Sequence, residues 1–294
     1  MDAIVSAIDN MFSAETRRIG AGAEVMTVKH SPSKDVWAAG DLYEPYVGRW
    51  SRRVARELLD WLAVPAGMEW LEVGCGTGAL TQTILDHGSP KRVRAVDASP
   101  GYVEYAKAHV TAGPASFEVG DAQSLPVDTA SVDAAVSGLM LNFVPQPQRA
   151  VAEMSRATRP GGVVAAYVWD YAGKMELMRY FWDAAVELDP AASGLDEGRR
   201  FPICQPEPLT ELFMQAGLHD VEVRPIDIPT EFRDFDDYWS PFLGGQGPAP
   251  GYAVSLDEPR REALKDRIRS KLPIAEDGAI RLIARAWAVR GHTP

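Results

Sequence analysis

Apolar positions along the chain follow two rhythms. Short, largely apolar runs recur at Trp70–Val73, Val93–Val96 and Val163–Trp169, with more mixed candidate strands at Ser116–Val119 and Ser131–Ser137. Such runs, each a few residues long, read as strands buried on both faces. Between them, apolar residues return every three or four positions. Val54, Leu58, Trp61 and Leu62 make one helical stripe, with Ser51 as its expected cap. Ala79–Asp86 and Gln148–Ala157 read as helices of the same kind. Alternating strands and helices predict a parallel, doubly wound sheet over the middle of the chain. After Trp169 the rhythm breaks. Residues 171–204 form an aromatic, helical insertion carrying Tyr180, Phe181 and Trp182. Pro208–Ala216 returns to helix, Val221–Ile228 alternates as a strand, and residues 256–271 make a charged helix. Ile280–Val289 alternates as the last strand. At the other end, Ile4, Val5, Ile8, Met11 and Phe12 lie at helical spacing within residues 1–20.

The first run ends in the densest chemical signal of the chain. Gly74, Gly76 and Gly78 alternate in Glu69-Trp-Leu-Glu-Val-Gly-Cys-Gly-Thr-Gly-Ala-Leu80, directly before a helix. A glycine turn lets a ligand lie against the backbone, because no Cβ intervenes. The free N–H groups of the helix start then face that ligand. Asp97 closes the next apolar run, at about the 20-residue spacing that suits a ribose hydroxyl. Two nucleotide-like cofactors compete. Gly74 to Ala79 satisfies the dinucleotide fingerprint, which leaves an NAD-dependent oxidoreductase open. Glu72 ahead of the turn, the third glycine at Gly78, and a second acid, Asp121, after the third run favour S-adenosylmethionine.

These residues resemble the class I S-adenosylmethionine-dependent methyltransferases, in particular the small-molecule branch around the ubiquinone and menaquinone biosynthesis enzymes. Glu69–Gly74 matches the first motif of that family. Val93–Asp97 with Ala98-Ser99-Pro100 matches the acidic motif, and Gly120-Asp121-Ala122 the adenine motif. Ser131–Ser137 resembles the fourth strand, and Arg159-Pro160-Gly161-Gly162 the turn into the fifth. The resemblance covers about residues 66–170. It implies an α/β, Rossmann-like, doubly wound sheet of seven strands, mostly parallel with the last antiparallel, plus helical and aromatic lid insertions. The implied domains are an N-terminal lid over 1–50 and a methyltransferase domain over 51–294, with cap insertions at about 171–204 and 235–272.

The resemblance also implies a cofactor site. Tyr46, Glu72, Gly74, Cys75, Gly76, Thr77, Gly78, Asp97, Ala98, Ser99, Asp121, Ala122, Gly138 and Leu139 are its expected residues. Asp97 would accept from the ribose and Asp121 from the adenine amino group; the plainer role of either acid is a turn or a cap. An apolar, aromatic acceptor pocket is expected from Trp37, Tyr43, Met140, Asn142, Trp169, Tyr171 and Trp239, with Tyr46 and Phe181 as further candidates. Half-buried packing is the competing role for these rings. Ser137-Gly-Leu-Met-Leu-Asn-Phe143 lacks the Asn/Asp-Pro-Pro-Tyr run of enzymes acting on exocyclic base amines. Ile203 precedes Cys204, so the Pro-Cys pair of cytosine-C5 enzymes is absent. No acid cluster follows the fourth run, so no metal is expected. No catalytic residue is assigned. Of the histidines, only His30 is a candidate to reach the site. The alternative to methyl transfer within this fold is a cofactor-binding protein with a pericyclic or regulatory role.

Composition narrows the partners. The 294 residues carry a net charge of -11, which disfavours nucleic acid, and the pairs Arg17-Arg18, Arg52-Arg53 and Arg260-Arg261 are short and scattered. Two cysteines make no disulfide framework. No stretch reads as a signal peptide or a membrane span. The expectation is a cytoplasmic monomer or homodimer acting on a small molecule.

Overall fold

The computed structural model describes residues 44–110, 113–245 and 247–294. The expected helix within residues 1–20, together with His30, Trp37 and Tyr43, lies outside them. Seven strands form one sheet: β1 (Glu69–Val73), β2 (Arg92–Asp97), β3 (Ala115–Val119), β4 (Val132–Gly138), β5 (Thr158–Trp169), β6 (His219–Phe232) and β7 (Ile280–His292). Their order is β3-β2-β1-β4-β5-β7-β6. β1 through β5 run parallel, and β7 lies antiparallel between β5 and β6.

β1 is central, and all five of its residues are buried. That is why apolar residues (Trp70, Leu71 and Val73) occupy both of its faces, with Glu72 a buried acid among them. β2 is registered on one side of it (Val73 opposite Val96) and β4 on the other (Leu71 opposite Ala135). The chain leaves β1 toward β2 and later returns on the far side as β4. The carboxyl ends of β1 and β4 therefore flank the switch point, where open α/β sheets hold ligands.

The helices α1 (Arg49–Leu62), α2 (Ala79–His87), α3 (Pro100–His109) and α4 (Pro147–Ala157) accompany the parallel strands. α1 buries Trp50, Val54, Leu58 and Leu62, as its stripe predicts. Its start differs from expectation. Gly48 is the N-cap, because Trp50 already packs edge-on against Phe232 at 5.6 Å and draws the helix back. Ser51 sits inside the first turn, where its hydroxyl donates to the Gly48 carbonyl at 2.8 Å.

The insertions fold as α5 (Glu176–Leu188), α6 (Glu197–Arg200), α7 (Pro206–Gln215), α8 (Phe235–Trp239), α9 (Pro248–Ser255) and α10 (Glu258–Lys271). Their aromatic rings pack mainly on each other. Phe181 stacks on Phe242 at 4.6 Å, and the Tyr238 hydroxyl donates to the Leu177 carbonyl at 2.8 Å. The glycine-rich run from Phe242 reads as loose in sequence. Instead Ser240–Gly244 forms a 3₁₀ turn pinned by the fully buried Phe242. Burying a ring against other rings gains area and favourable edge geometry together.

At the amino ends of the strands, Arg159 donates to Asp133 Oδ1 at 2.6 Å and to Glu69 Oε2 at 2.9 Å. The Arg159 bond, with help from Lys91, holds the Glu69 carboxyl down at about 2. This network lies across the sheet from the switch point. No helix among the described residues is long and apolar enough to cross a membrane.

Candidate active site

The carboxyl ends of β1, β2 and β4 border a cavity of about 350 Å³. Its floor is the glycine turn. Gly74, Gly76 and Gly78 all have positive φ, at +77°, +51° and +83°, a region glycine enters without strain. Their surroundings differ. A Cβ on Gly74 would meet Met140 Cγ at 2.3 Å, and one on Gly78 would meet Val110 Cγ2 at 2.4 Å. Above Gly76, nothing among the described residues lies within 4 Å. Gly74 and Gly78 are small because the protein packs against them. Gly76 alone of the three presents open backbone, and Gly78 does not line the cavity.

Asp97 ties the end of β2 to this turn. Its Oδ2 accepts from the Gly76 N–H at 2.9 Å and its Oδ1 from the Ser99 N–H at 2.8 Å. Burial raises its pKa, and these two donors pull the other way. The Val96 carbonyl accepts from the N–H groups of Gly74 and Cys75, at 2.7 and 3.1 Å. The turn is thus fixed before any ligand arrives.

Glu72 is almost wholly buried and accepts a hydrogen bond from the Thr81 hydroxyl. Burial, augmented by the Asp97 charge, pushes its pKa up to about 8, so at neutral pH it is mostly a neutral acid. Burial also pushes the Cys75 thiol well up, which removes it as a thiolate nucleophile. Asp121 forms a side-chain turn, its Oδ1 accepting from the Gln123 N–H at 2.8 Å. It borders the cavity with Gly120, Ala122 and Gln123.

The end of β4 supplies Gly138, Leu139 and Met140. A Cβ on Gly138 would sit 2.6 Å from the Tyr167 hydroxyl. Leu139 has a φ of +59°, an uncommon and strained conformation for a leucine. Its N–H donates to the Tyr167 carbonyl at 2.8 Å, which holds that geometry. Phe143, Tyr167, Trp169 and Tyr171 complete an aromatic wall, with Val47 and Ser51 of the N-terminal side bordering the same space.

The structure brings together Glu72, Gly74, Cys75, Gly76, Thr77, Asp97, Ala98, Ser99, Asp121, Ala122, Gly138, Leu139, Met140, Trp169 and Tyr171 around the cavity. It places others elsewhere. Tyr46 is buried, its hydroxyl donating to Met178 Sδ at 2.9 Å and its ring edge-on to Phe242 at 5.5 Å. Phe181 and Trp239 belong to the same aromatic core. Asn142 is buried and borders a neighbouring cavity instead. Sequence reading missed Val47, Ser51, Tyr102, Gln123, Phe143 and Tyr167. Tyr167 was within reach, since it lies two residues before Trp169 and strand parity puts both on one face. Among the described residues, no histidine or lysine lines the cavity, and no group of three or more acids, histidines or cysteines is placed to hold a metal.

Comparison with known proteins bears on this arrangement. A methyltransferase-domain family profile matches residues 71–166. The chain is 30% identical over 182 residues to a malonyl-[acyl-carrier protein] O-methyltransferase of Hahella chejuensis, covering 62% of this chain and 61% of that protein. It is 31% identical over 160 residues to a chloroplastic 2-methyl-6-phytyl-1,4-hydroquinone methyltransferase of Oryza sativa, covering 54% of this chain and 44% of that protein. The matched region thus spans about half the length of these relatives. Among solved structures, one described as a methyltransferase from an antibiotic biosynthesis pathway of Anabaena variabilis superposes with a TM-score of 0.58 at 19% identity, over 80% of this chain and 96% of that one. That likeness speaks to the fold alone. The matched residues run from β1 to β5 and contain the glycine turn, Asp97 and Asp121. Residues 71–166 thus form a methyltransferase domain, of the class I S-adenosylmethionine-dependent kind.

Proposed function

We propose that the protein transfers a methyl group from S-adenosylmethionine to a small acceptor with an apolar or aromatic body. The observation that carries this reading is the open backbone at Gly76, braced by Asp97 at the switch point, inside a cavity of about 350 Å³. That volume lies within the roughly 300–1,000 Å³ of small-ligand sites.

The residues fit the cofactor. Gly76 offers room for a ligand against the chain, and α2 starts beside it with no cap from Gly78, its Thr81 N–H being taken by Glu72. Asp97 spends one bond per oxygen on the turn and keeps lone pairs for ribose hydroxyls. Ala122 and Asp121 border the far end, where an adenine would lie. When bound, S-adenosylmethionine supplies a methyl group made electrophilic by a sulfonium.

The chain's task is then to align the acceptor and exclude water. Phe143, Tyr167, Trp169 and Tyr171 supply the apolar surface for that. The absence of histidine and lysine from the described lining agrees with a displacement that needs no strong base, and gives an oxidoreductase no readable proton relay. The two relatives named above are methyltransferases of malonyl-[acyl-carrier protein] and of 2-methyl-6-phytyl-1,4-hydroquinone, and the aromatic wall suits an acceptor nearer the second kind. The insertions at 171–204 and 235–272 are proposed to cover the site, while most of the lid expected over 1–50 lies outside the described residues. Tyr171 already borders the cavity from the first insertion, and Val47 from the described end of the N-terminal segment.

Calorimetric titration tests the cofactor reading. S-adenosylhomocysteine should bind saturably and NADH should not. Tight NADH binding without S-adenosylhomocysteine binding would overturn it.

A further inference from the structure

Tyr171 stands just beyond β5, where the chain enters its first insertion. It borders the cavity, and its carbonyl accepts from Arg179 Nη1 at 2.9 Å. The same guanidinium grips both oxygens of Asp196, Nη1 to Oδ1 at 2.9 Å and Nη2 to Oδ2 at 3.0 Å. Its Nη2 also donates to Asp183 Oδ1 at 2.9 Å. Asp196 in turn caps α6, its Oδ1 accepting from the Gly198 N–H at 2.9 Å. One side chain of α5 therefore holds both the turn after β5 and the start of α6.

The other end of α6 returns to the aromatic wall. Phe201, its C-cap, packs tilted on Tyr171 at 5.9 Å and edge-on to Phe143 at 5.2 Å. Tyr171 and Phe143 both line the cavity. Arg179 thus fixes Tyr171 twice, through its carbonyl and through Asp196, α6 and the Phe201 ring. The fit leaves no slack. A Cβ on Gly198 would stand 2.8 Å from Arg179 Nη1, 2.9 Å from Ala172 Cα and 3.0 Å from the Tyr171 carbonyl oxygen. α6 lies directly on the backbone at Tyr171 and Ala172, so a shift in one is passed to the other.

Stability alone does not call for this arrangement. The side chains of Arg179 and Asp196 are 17% and 6% exposed. Taking such a pair out of water costs about as much as its attraction returns, and an apolar pair of similar volume is often as stable. What an apolar pair lacks is a planar fork that holds a carboxylate and a carbonyl at fixed angles.

We propose that Arg179 is a positioning residue: from outside the cavity it holds the Tyr171–Phe201–Phe143 wall in place, and with it the surface offered to the methyl acceptor. This rests on the methyl-transfer reading. Arg179 is not among the described residues that border the cavity; with Ala172 and Asp196 it borders a separate one. None of its bonds named above goes to Gly76, Asp97 or Asp121, so its influence falls on the acceptor side and not on the cofactor side. A misplacement of about 1 Å in an aligning surface costs about a hundredfold in rate, which gives a rigid wall its use.

The test uses the full chain with 3-fluorotyrosine in place of tyrosine. The Tyr171 fluorine signal is assigned by its loss in Tyr171→Phe, and is compared with the thermal midpoint and the affinity for S-adenosylhomocysteine. Arg179→Met should lower the midpoint, because Asp196 is left buried without its cation. Arg179→Met with Asp196→Leu should recover most of that loss. In both, the Tyr171 signal should be displaced or broadened, while the S-adenosylhomocysteine affinity stays within about threefold of wild type. Arg179→Lys keeps the charge and loses the fork, and should displace the signal with the smallest loss of midpoint. A Tyr171 signal at its wild-type position in the apolar double variant would overturn the proposal and reduce Arg179 to a staple. A larger fall in S-adenosylhomocysteine affinity in that variant would overturn it too, because the effect would reach the cofactor side. If the methionine variants fail to fold, Arg179→Lys decides alone, an unmoved Tyr171 signal counting against the proposal. Failure of the methyl-transfer reading shows separately, as no saturable binding of S-adenosylhomocysteine by the wild-type chain.

Discussion

Replacing Asp97 with alanine probes the glycine turn and the ligand contact in one experiment. Without ligand, the carboxylate accepts from the Gly76 N–H at 2.9 Å and the Ser99 N–H at 2.8 Å. A hydrogen bond to a charged group contributes about 1.5–3 kcal/mol net. Two are lost, but the side chain is only half-buried and water in the cavity can replace part of the loss. The expected destabilisation is therefore about 1–3 kcal/mol, not the full sum. In a chain of this size each kcal/mol lowers the thermal midpoint by about 2–4 °C. The affinity for S-adenosylhomocysteine should fall by a similar 1–3 kcal/mol, or about 5–150-fold. Asp97→Asn separates the two contributions. Its carbonyl oxygen still accepts from one backbone donor, while its NH₂ faces the other. Its midpoint should fall less than that of the alanine variant. Scanning calorimetry gives the midpoint and titration calorimetry the dissociation constant. An alanine variant that binds S-adenosylhomocysteine with wild-type affinity would refute both the bracing role and the ribose contact.

Gly76→Val should abolish S-adenosylhomocysteine binding while circular dichroism stays native, because the added side chain enters the cavity at a φ of +51°; Gly74→Ala should instead lower the thermal midpoint, since its Cβ would collide with Met140. Glu72 carries a folded-state pKa of about 8, above its unfolded value of roughly 4.3, so it costs stability as pH rises from about 4.5 to about 8. Glu72→Gln should flatten that part of a midpoint-against-pH curve, leaving the slope due to Glu197, whose burial likewise raises it to about 8; an unchanged slope would show Glu72 ionised in the native state. Glu69 is held down at about 2, so its pairing stabilises above about 4.5 and is lost as pH falls toward 2. Arg159→Ala should be less stable than wild type at neutral pH, and the gap should close over that acid range; a gap independent of pH would exclude the ion pair as its source.

Most of the sheet was legible because its signal is burial, and burial shows in the sequence as largely apolar runs. β1, β2 and β4 lie between other strands, so their runs could be placed to within a residue or two. β6 and β7 were legible for a different reason, the alternation of strands with one wet face. The glycine turn was found from spacing, yet spacing could not say which glycine meets the ligand. That depends on Met140 and Val110, both distant in sequence from the turn they cover. The aromatic residues were the hardest to place. Sequence supplies ring type and number but not facing, and Trp169 and Tyr171 look no different there from Phe181 and Trp239. The first pair borders the cavity, while the second closes a core in which Phe181, Tyr238 and Phe242 pack together. Ser51 shows the same limit on a smaller scale. A serine before an apolar stripe is a reasonable cap until a tryptophan further back extends the helix.

The two ends of the sheet divide the physical work between them. At the amino ends, Arg159 bridges Asp133 and Glu69 and its own carbonyl accepts from the Thr293 hydroxyl at 2.5 Å, which ties β1, β4, β5 and the chain beyond β7 into one unit. At the carboxyl ends several unfavourable features occur. There the chain holds its turn glycines at positive φ, bends Leu139 into a left-handed conformation, keeps Glu72 as a buried acid, and leaves the Ser137 hydroxyl and the Asn142 amide without partners among the described residues. The glycines enter that region without strain, but the others are locally costly, and none is needed to build a parallel sheet. Comparable costs occur elsewhere, as at the buried Glu197 and at the Thr230 hydroxyl, unpaired among the described residues, but Leu139 and Glu72 carry theirs on the wall of one cavity. Gly76 and Asp97 are already fixed to each other there. The glycine turn is thus preorganised for whatever ligand it receives.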